Sequence, residues 1–156
     1  MIEIAIDGPA ASGKGALGKK LSDKYNFPYL DTGILYRKVA YELIKYNIKN
    51  SENLEILCCN FAKNLNLKEF KNKNLRTEDV AKLASKIAIF PNLRKILNNK
   101  QREFSNFNKK QFGGCILDGR DIGTTILPNA DFKFFITASI EVRARRRLLQ
   151  KNISFL

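Results

Sequence analysis

Residues Gly8 to Gly15 read Gly-Pro-Ala-Ala-Ser-Gly-Lys-Gly, directly after the alternating segment Ile2-Glu3-Ile4-Ala5-Ile6. Glycines at this spacing leave backbone N–H groups able to close around phosphate oxygens. Lys14 sets a cation beside them, and a helix starting there would add its positive N-terminal end. Gly8, Pro9, Ala10, Ala11, Ser12, Gly13, Lys14 and Gly15 are therefore the candidate phosphate cradle. The strict pattern has Ser or Thr after the lysine; here Gly15 stands there and Ala16 follows.

Other residues could serve the same chemistry. Asp118 ends an apolar run, Cys115-Ile116-Leu117. A carboxylate there can hold Mg²⁺ next to phosphates, directly or through water. The competing reading is a turn-forming Asp before Gly119, and the glycine loop tips the balance toward the metal. Asp31-Thr32-Gly33 and Arg37 fall where ligands bind in parallel sheets, but spacing alone favours a helix cap and a surface arginine. Ser85 and Arg94 read by themselves as solvated helical residues. The run Arg143, Arg145, Arg146, Arg147 reads first as a basic face that complements a helix dipole.

Histidine is absent, and the three cysteines, Cys58, Cys59 and Cys115, form no Cys-x-x-Cys pair. That argues against His-assisted nucleophiles, His-ligated metals, a zinc site and a disulfide framework. The net charge of +13 suggests attraction to nucleotides or nucleic acid. Its lysines are dispersed, however, so biased residue usage is the simpler source. No apolar run approaches the ~20 residues that span a bilayer, and the first strand leaves no room for a leader. The expectation is a soluble cytoplasmic monomer that binds small molecules, with no membrane or nucleic-acid partner.

The elements that must position these residues follow from periodicity. Ile2–Ile6 is a strand. Leu17, Leu21 and Tyr25 recur at helical spacing. Residues 27–30 form a short strand, and Asp31 or Thr32 caps a helix burying Leu35, Val39 and Leu43. Helices are expected over 51–67 and 77–89, and another from Pro91 to about Phe107. Gly113-Gly114 breaks the chain before the Cys115 strand. Residues 132–136 are the last strand, and Ser139 caps a last helix. Strands separated by helices imply an α/β fold, a parallel sheet covered on both faces.

Together these segments resemble the bacterial cytidylate kinases, a branch of the nucleoside monophosphate kinases. The likeness rests on Gly8–Gly15, Leu30-Asp31-Thr32-Gly33-x-x-Tyr36-Arg37, Arg76-Thr77-Glu78-Asp79-Val80, Ala84-Ser85-x-x-Ala88-x-Phe90-Pro91-x-x-Arg94, Asp118-Gly119-Arg120-Asp121-Ile122-Gly123-Thr124 and Arg143-Ala144-x-Arg146-Arg147. The resemblance implies a P-loop NTPase-type core over 1–32 and 112–150, with a helical NMP-binding insertion over about 33–111, all in one domain. It implies that ATP binds at Gly8–Ala16, with Arg143 and Arg147 also on the nucleotide, and that Mg²⁺ binds at Asp118. It implies that Ser85, Arg94 and Asp121 read the cytosine edge of CMP or dCMP, and that Arg37 and Arg120 grip the acceptor phosphate, with Thr32 where the family usually has Ser. The reaction implied is in-line phosphoryl transfer from ATP to CMP or dCMP, with Lys14 and Arg120 neutralising charge.

Two departures accompany the likeness. Ala16 replaces a usual Thr. Residues Lys151–Leu156 correspond to the start of the family's lid, so the lid and C-terminal end are expected to be missing, leaving a truncated, aggregation-prone chain with little or no turnover. The alternative reading is a non-catalytic P-loop remnant that binds nucleotide or nucleic acid. A kinase for another small acceptor is a third, disfavoured by Ser85, Arg94 and Asp121.

Overall fold

The computed structural model describes residues 1–48, 52–66 and 73–150. The chain divides into two compact units. One comprises Met1–Asp31 and the chain from Phe104 onward; the other is Thr32–Glu103.

The first unit is a four-stranded, wholly parallel sheet. Its strands are β1 (Ile2–Asp7), β2 (Tyr29–Asp31), β3 (Gly114–Gly119) and β4 (Phe132–Phe135), in the order β2-β3-β1-β4. The register sets Ile4 against Ile116 and Ile6 against Asp118 on β1 and β3, and Asp31 against Asp118 on β2 and β3. Because side chains alternate along a strand, Ile4, Ile6, Ile116, Tyr29, Asp31 and Asp118 share one face. Helix α1 (Lys14–Tyr25) lies on it, packing Leu17 and Leu21 on Ile4, Ile6 and Ile116. Gly18 is buried there, and a Cβ on it would meet the Tyr29 ring at 2.5 Å.

On the opposite face, Ser105 donates to Glu3 Oε1 at 2.5 Å and lies 3.1 Å from Cys115 Sγ, while Lys109 pairs with the same Glu3 oxygen at 2.9 Å. Those residues belong to the last turns of α5 (Pro91–Phe112). This helix runs past the expected end at Phe107, since nothing breaks it until Gly113, whose φ of +76° reverses the chain. The last helix, α6 (Ile140–Gln150), is capped as its sequence predicts, Ser139 Oγ accepting from the Val142 N–H at 3.4 Å.

Two expectations for this unit need correction. The second strand runs over Tyr29–Asp31 rather than 27–30, because Phe27 turns into the α1 packing cluster. Helical cover on both faces holds for β1 and β3 but not for β4. All four β4 residues are exposed, including Phe132 at 51%, Phe134 at 41% and Phe135 at 70%. Periodicity also gave no warning of the wide helical turn over Ile122–Ile126.

The second unit is helical: α2 (Gly33–Lys45), α3 (Leu54–Lys63), a short turn at Lys73–Arg76, α4 (Glu78–Ile87) and the first part of α5. The 3.6-residue spacing predicted the buried stripe of α2, and Leu35, Val39 and Leu43 are fully buried. They join Cys58 and Ala62 of α3, Val80 and Ile87 of α4, and Leu93 and Leu97 of α5 in the core of this unit. Thr32 holds the N-cap position of α2, yet its side chain makes no capping bond, because its own backbone is already helical at φ −68°. The helices expected over 51–67 and 77–89 are shorter at both ends, and positions 51 and 67 lie outside the described residues, as do Lys151–Leu156. Cys58, Cys59 and Cys115 are free thiols, and burial pushes all three up, Cys58 to about 11.

Candidate functional site

The segment 8–13 leaves the carboxyl end of β1 and turns into α1. Its path requires glycine twice. Gly8 has φ +145°, and a Cβ there would overlap the Ile136 carbonyl; Gly13 has φ +111°. Ala11, at φ +58°, adopts the left-handed region as well. The loop therefore coils tightly ahead of the first N–H groups of α1, which is the geometry of an anion cradle.

Two observations mark the interior of this loop as polar. Ser12 is 4% exposed, and its Oγ has no hydrogen-bond partner among the described residues. A buried hydroxyl left so costs free energy unless a ligand meets it. Lys14 Nζ folds back to donate to the Pro9 carbonyl at 3.0 Å. Desolvation pulls the Lys14 pKa down; Asp118 opposes this, and Arg120 adds to it. Arg146 of α6 ties the loop down, donating to the carbonyls of Ser12 at 2.9 Å and Ala11 at 3.3 Å.

Asp118 is the penultimate residue of β3 and is 4% exposed. Burial first, then the charge of Asp31, pushes its pKa up to about 6, against the Tyr29 hydrogen bond and Lys14, which pull it down. Tyr29 Oη donates to Asp118 Oδ2 at 2.6 Å. The donor set suits Mg²⁺: one buried carboxylate beside a phosphate cradle, where the ion takes its remaining ligands from phosphate and water. No group of three or more metal-ligating side chains occurs among the described residues.

Asp7, the last residue of β1, is 8% exposed. Its two carboxylate oxygens accept from the N–H groups of Ile122 and Gly123, each at 2.8 Å. This double cap forms the wide turn at 122–126 and sets the segment Asp118-Gly119-Arg120-Asp121 that leads into it.

The first unit thus brings together the Gly8–Ala16 loop, Lys14, Asp118 and Arg120. Asp121 begins the wide turn. Arg143 Nε donates to the Ala138 carbonyl at 3.2 Å, and Arg147 is half-buried on the same helix. The remaining candidates lie in the second unit. Thr32 is buried at the start of α2. Arg37 donates to the Leu75 carbonyl at 3.2 Å, Ser85 Oγ to the Ala81 carbonyl one turn back at 3.0 Å, and Arg94 to the Ala88 carbonyl at 3.4 Å.

Sequence reasoning missed Asp7, Tyr29 and the separate task of Arg146. Only Asp7 carried a local signal, an acidic residue closing an apolar strand directly before the glycine loop.

A parallel sheet whose central strand runs into a glycine-lysine loop and helix defines the class: an α/β phosphate-loop protein. The family model for cytidylate kinase matches residues 4–155, and this chain belongs to that family. It is 45% identical over 144 residues to a protein named cytidylate kinase from Bartonella tribocorum, covering 92% of this chain and 64% of that protein. A cytidylate kinase from Methylocella silvestris is 46% identical over 147 residues, covering 94% and 65%. One from Mesorhizobium japonicum is 42% identical over 152 residues, again covering 94% and 65%. The chain therefore spans just under two thirds of the length of these relatives. No helix among the described residues is long and apolar enough to cross a membrane.

Proposed function

We propose that this chain carries the phosphoryl-transfer machinery of a nucleoside monophosphate kinase acting on CMP or dCMP with ATP. The observation that carries the reading is the loop itself. A tightly coiled glycine segment holds a buried, unpartnered Ser12 hydroxyl and the partly desolvated Lys14, beside the buried carboxylate of Asp118. Polar groups held out of water in this way suit an anion with its counter-ion. Relatives from several bacteria that carry the name cytidylate kinase support cytidylate as the acceptor.

In this reading the backbone N–H groups of Gly8–Ala16 bind the ATP phosphates, and Lys14 leaves the Pro9 carbonyl to meet them. Asp118 holds Mg²⁺, which would neutralise charge on the phosphates. Arg120 gathers with Lys14 on the transferring group, and Arg143 and Arg147 serve the nucleotide from α6. The Thr32–Glu103 unit is the acceptor-binding region of a single kinase domain. There Thr32 and Arg37 take the acceptor nucleotide, Arg37 gripping its phosphate together with Arg120. Ser85 and Arg94, with Asp121, read the base, since an Asp accepts from a cytosine amino group that uracil lacks. The reaction runs by positioning and charge neutralisation, with no covalent intermediate.

Calorimetric titration of ATP tests the cradle. Lys14→Ala removes a cation from the phosphates and should weaken binding by about 1.5–3 kcal/mol; equal affinity in the two proteins would refute the site. Asp121→Asn tests the base reading. It should lower the preference for CMP over UMP by about 1–3 kcal/mol, and an unchanged affinity ratio would remove Asp121 from the assignment.

A further inference from the structure

The hydroxyl of Tyr29 lies 2.6 Å from Asp118 Oδ2, and this contact joins two neighbouring strands on the face that carries α1. Three further observations give it a purpose beyond packing. The Tyr29 ring occupies the space that a side chain at Gly18 would need, a Cβ there falling 2.5 Å from Cε2. A Cβ at Gly15 would sit 3.4 Å from the Tyr29 oxygen and 3.6 Å from Asp118 Oδ2. Helix α1, which begins at Lys14, thus approaches the Tyr29–Asp118 pair through two glycines one turn apart. Asp118 is itself almost wholly buried, so a carboxyl without a fixed donor would be costly there.

We propose that Tyr29 is a positioning residue: its hydroxyl fixes the plane of the Asp118 carboxyl, and its ring, seated on Gly18, keys that carboxyl to the helix carrying Lys14. The inference rests on the reading of Asp118 as the residue that serves the nucleotide's Mg²⁺. A carboxylate oriented in advance binds its ion without first losing rotational freedom, as outer-shell donors do at other metal sites. The phenol keeps one oxygen of Asp118 engaged, and the close glycine contact carries any shift of α1 to it. Tyr29 touches neither phosphate nor metal in this scheme; it acts through Asp118.

The test compares wild type, Tyr29→Phe and Asp118→Asn by calorimetric titration with ATP, first in EDTA and then with saturating Mg²⁺, each protein also melted. Phe keeps the ring on Gly18 and loses only the hydroxyl. Tyr29→Phe should hold metal-free ATP affinity within about twofold of wild type. It should lose most of the Mg²⁺-dependent gain in affinity, about 10-fold, the magnitude typical of outer-shell partners. Gly18→Ala, which displaces the ring with the hydroxyl intact, should reproduce that pattern. A full Mg²⁺ gain in Tyr29→Phe while Asp118→Asn loses it would overturn the role of Tyr29 and leave Asp118 standing. An equal gain in wild type and Asp118→Asn would overturn the metal reading, and this inference with it. Loss of metal-free affinity in both Tyr29→Phe and Gly18→Ala would assign Tyr29 to packing alone.

Discussion

The carboxyl ends of β1 and β3 and the edge strand β4 invert the usual partition of residues in opposite ways. At the first, Asp7, Ser12 and Asp118 are buried. At the second, Phe132, Phe134 and Phe135 face solvent. Both arrangements work against simple burial energetics, but at the first the two carboxylates have specific partners and only the Ser12 hydroxyl is left without one among the described residues. Asp7 accepts two backbone N–H groups, Asp118 accepts from Tyr29, and the loop carbonyls accept from Arg146. Strand β4 has β1 on one side and, among the described residues, no strand on the other. Polar burial with specific partners marks a place built to do chemistry; apolar exposure on an edge marks a surface built to be covered.

The largest effect should come from the loop's backbone. Gly8→Ala places a Cβ against the Ile136 carbonyl at a φ few L-residues adopt, and should lower stability by about 3 kcal/mol or more. Chemical denaturation measures it, and a midpoint unchanged from wild type would break the claim that this end is sterically determined. Next comes Asp118→Asn. The carboxyl titrates near 6 in the folded chain, against an ordinary value of 3.8. Folding therefore favours its protonated form. The stability it contributes is complete below pH 4 and is lost as pH rises to about 6. Asn should remove that slope and stabilise the chain at pH 7 by about 1–3 kcal/mol. Denaturation midpoints between pH 3.5 and 7, in EDTA, would show parallel curves for the two proteins if the burial cost were absent. The smallest effect on stability, within about 0.5 kcal/mol, belongs to Phe135→Lys. A lysine blocks edge pairing, so light scattering should show less self-association; equal association would remove β4 as the sticky surface.

What could be foreseen from the sequence divides along the same line. The glycine loop was legible because its constraints are local: Gly8, Gly13 and Lys14 state their backbone geometry and charge within a few residues. The buried stripe Leu35, Val39, Leu43 was legible because helical period is local too. The Tyr29–Asp118 and Asp7–Ile122 bonds join residues 89 and 115 positions apart, and no periodicity encodes a pairing at that distance. The strand at Phe132 and Phe134 was legible but its exposure was not, because an apolar strand looks the same whether or not a helix covers it. The end of α5 was misjudged at Phe107 because polar helical residues continue the helix without any stop signal before Gly113.

Strand β1 sits between β3 and β4, and β2 pairs with β3, so no strand finds a neighbour until Gly114 is made. At ribosomal speeds of about 5–20 residues per second, the first strand waits roughly 5–20 s with Ile4 and Ile6 unpaired. Meanwhile Thr32–Glu103 has all its own contacts available in sequence order. The helical unit is therefore the part of the nascent chain able to fold first. The phosphate loop, though synthesised before the helical unit, takes shape after it.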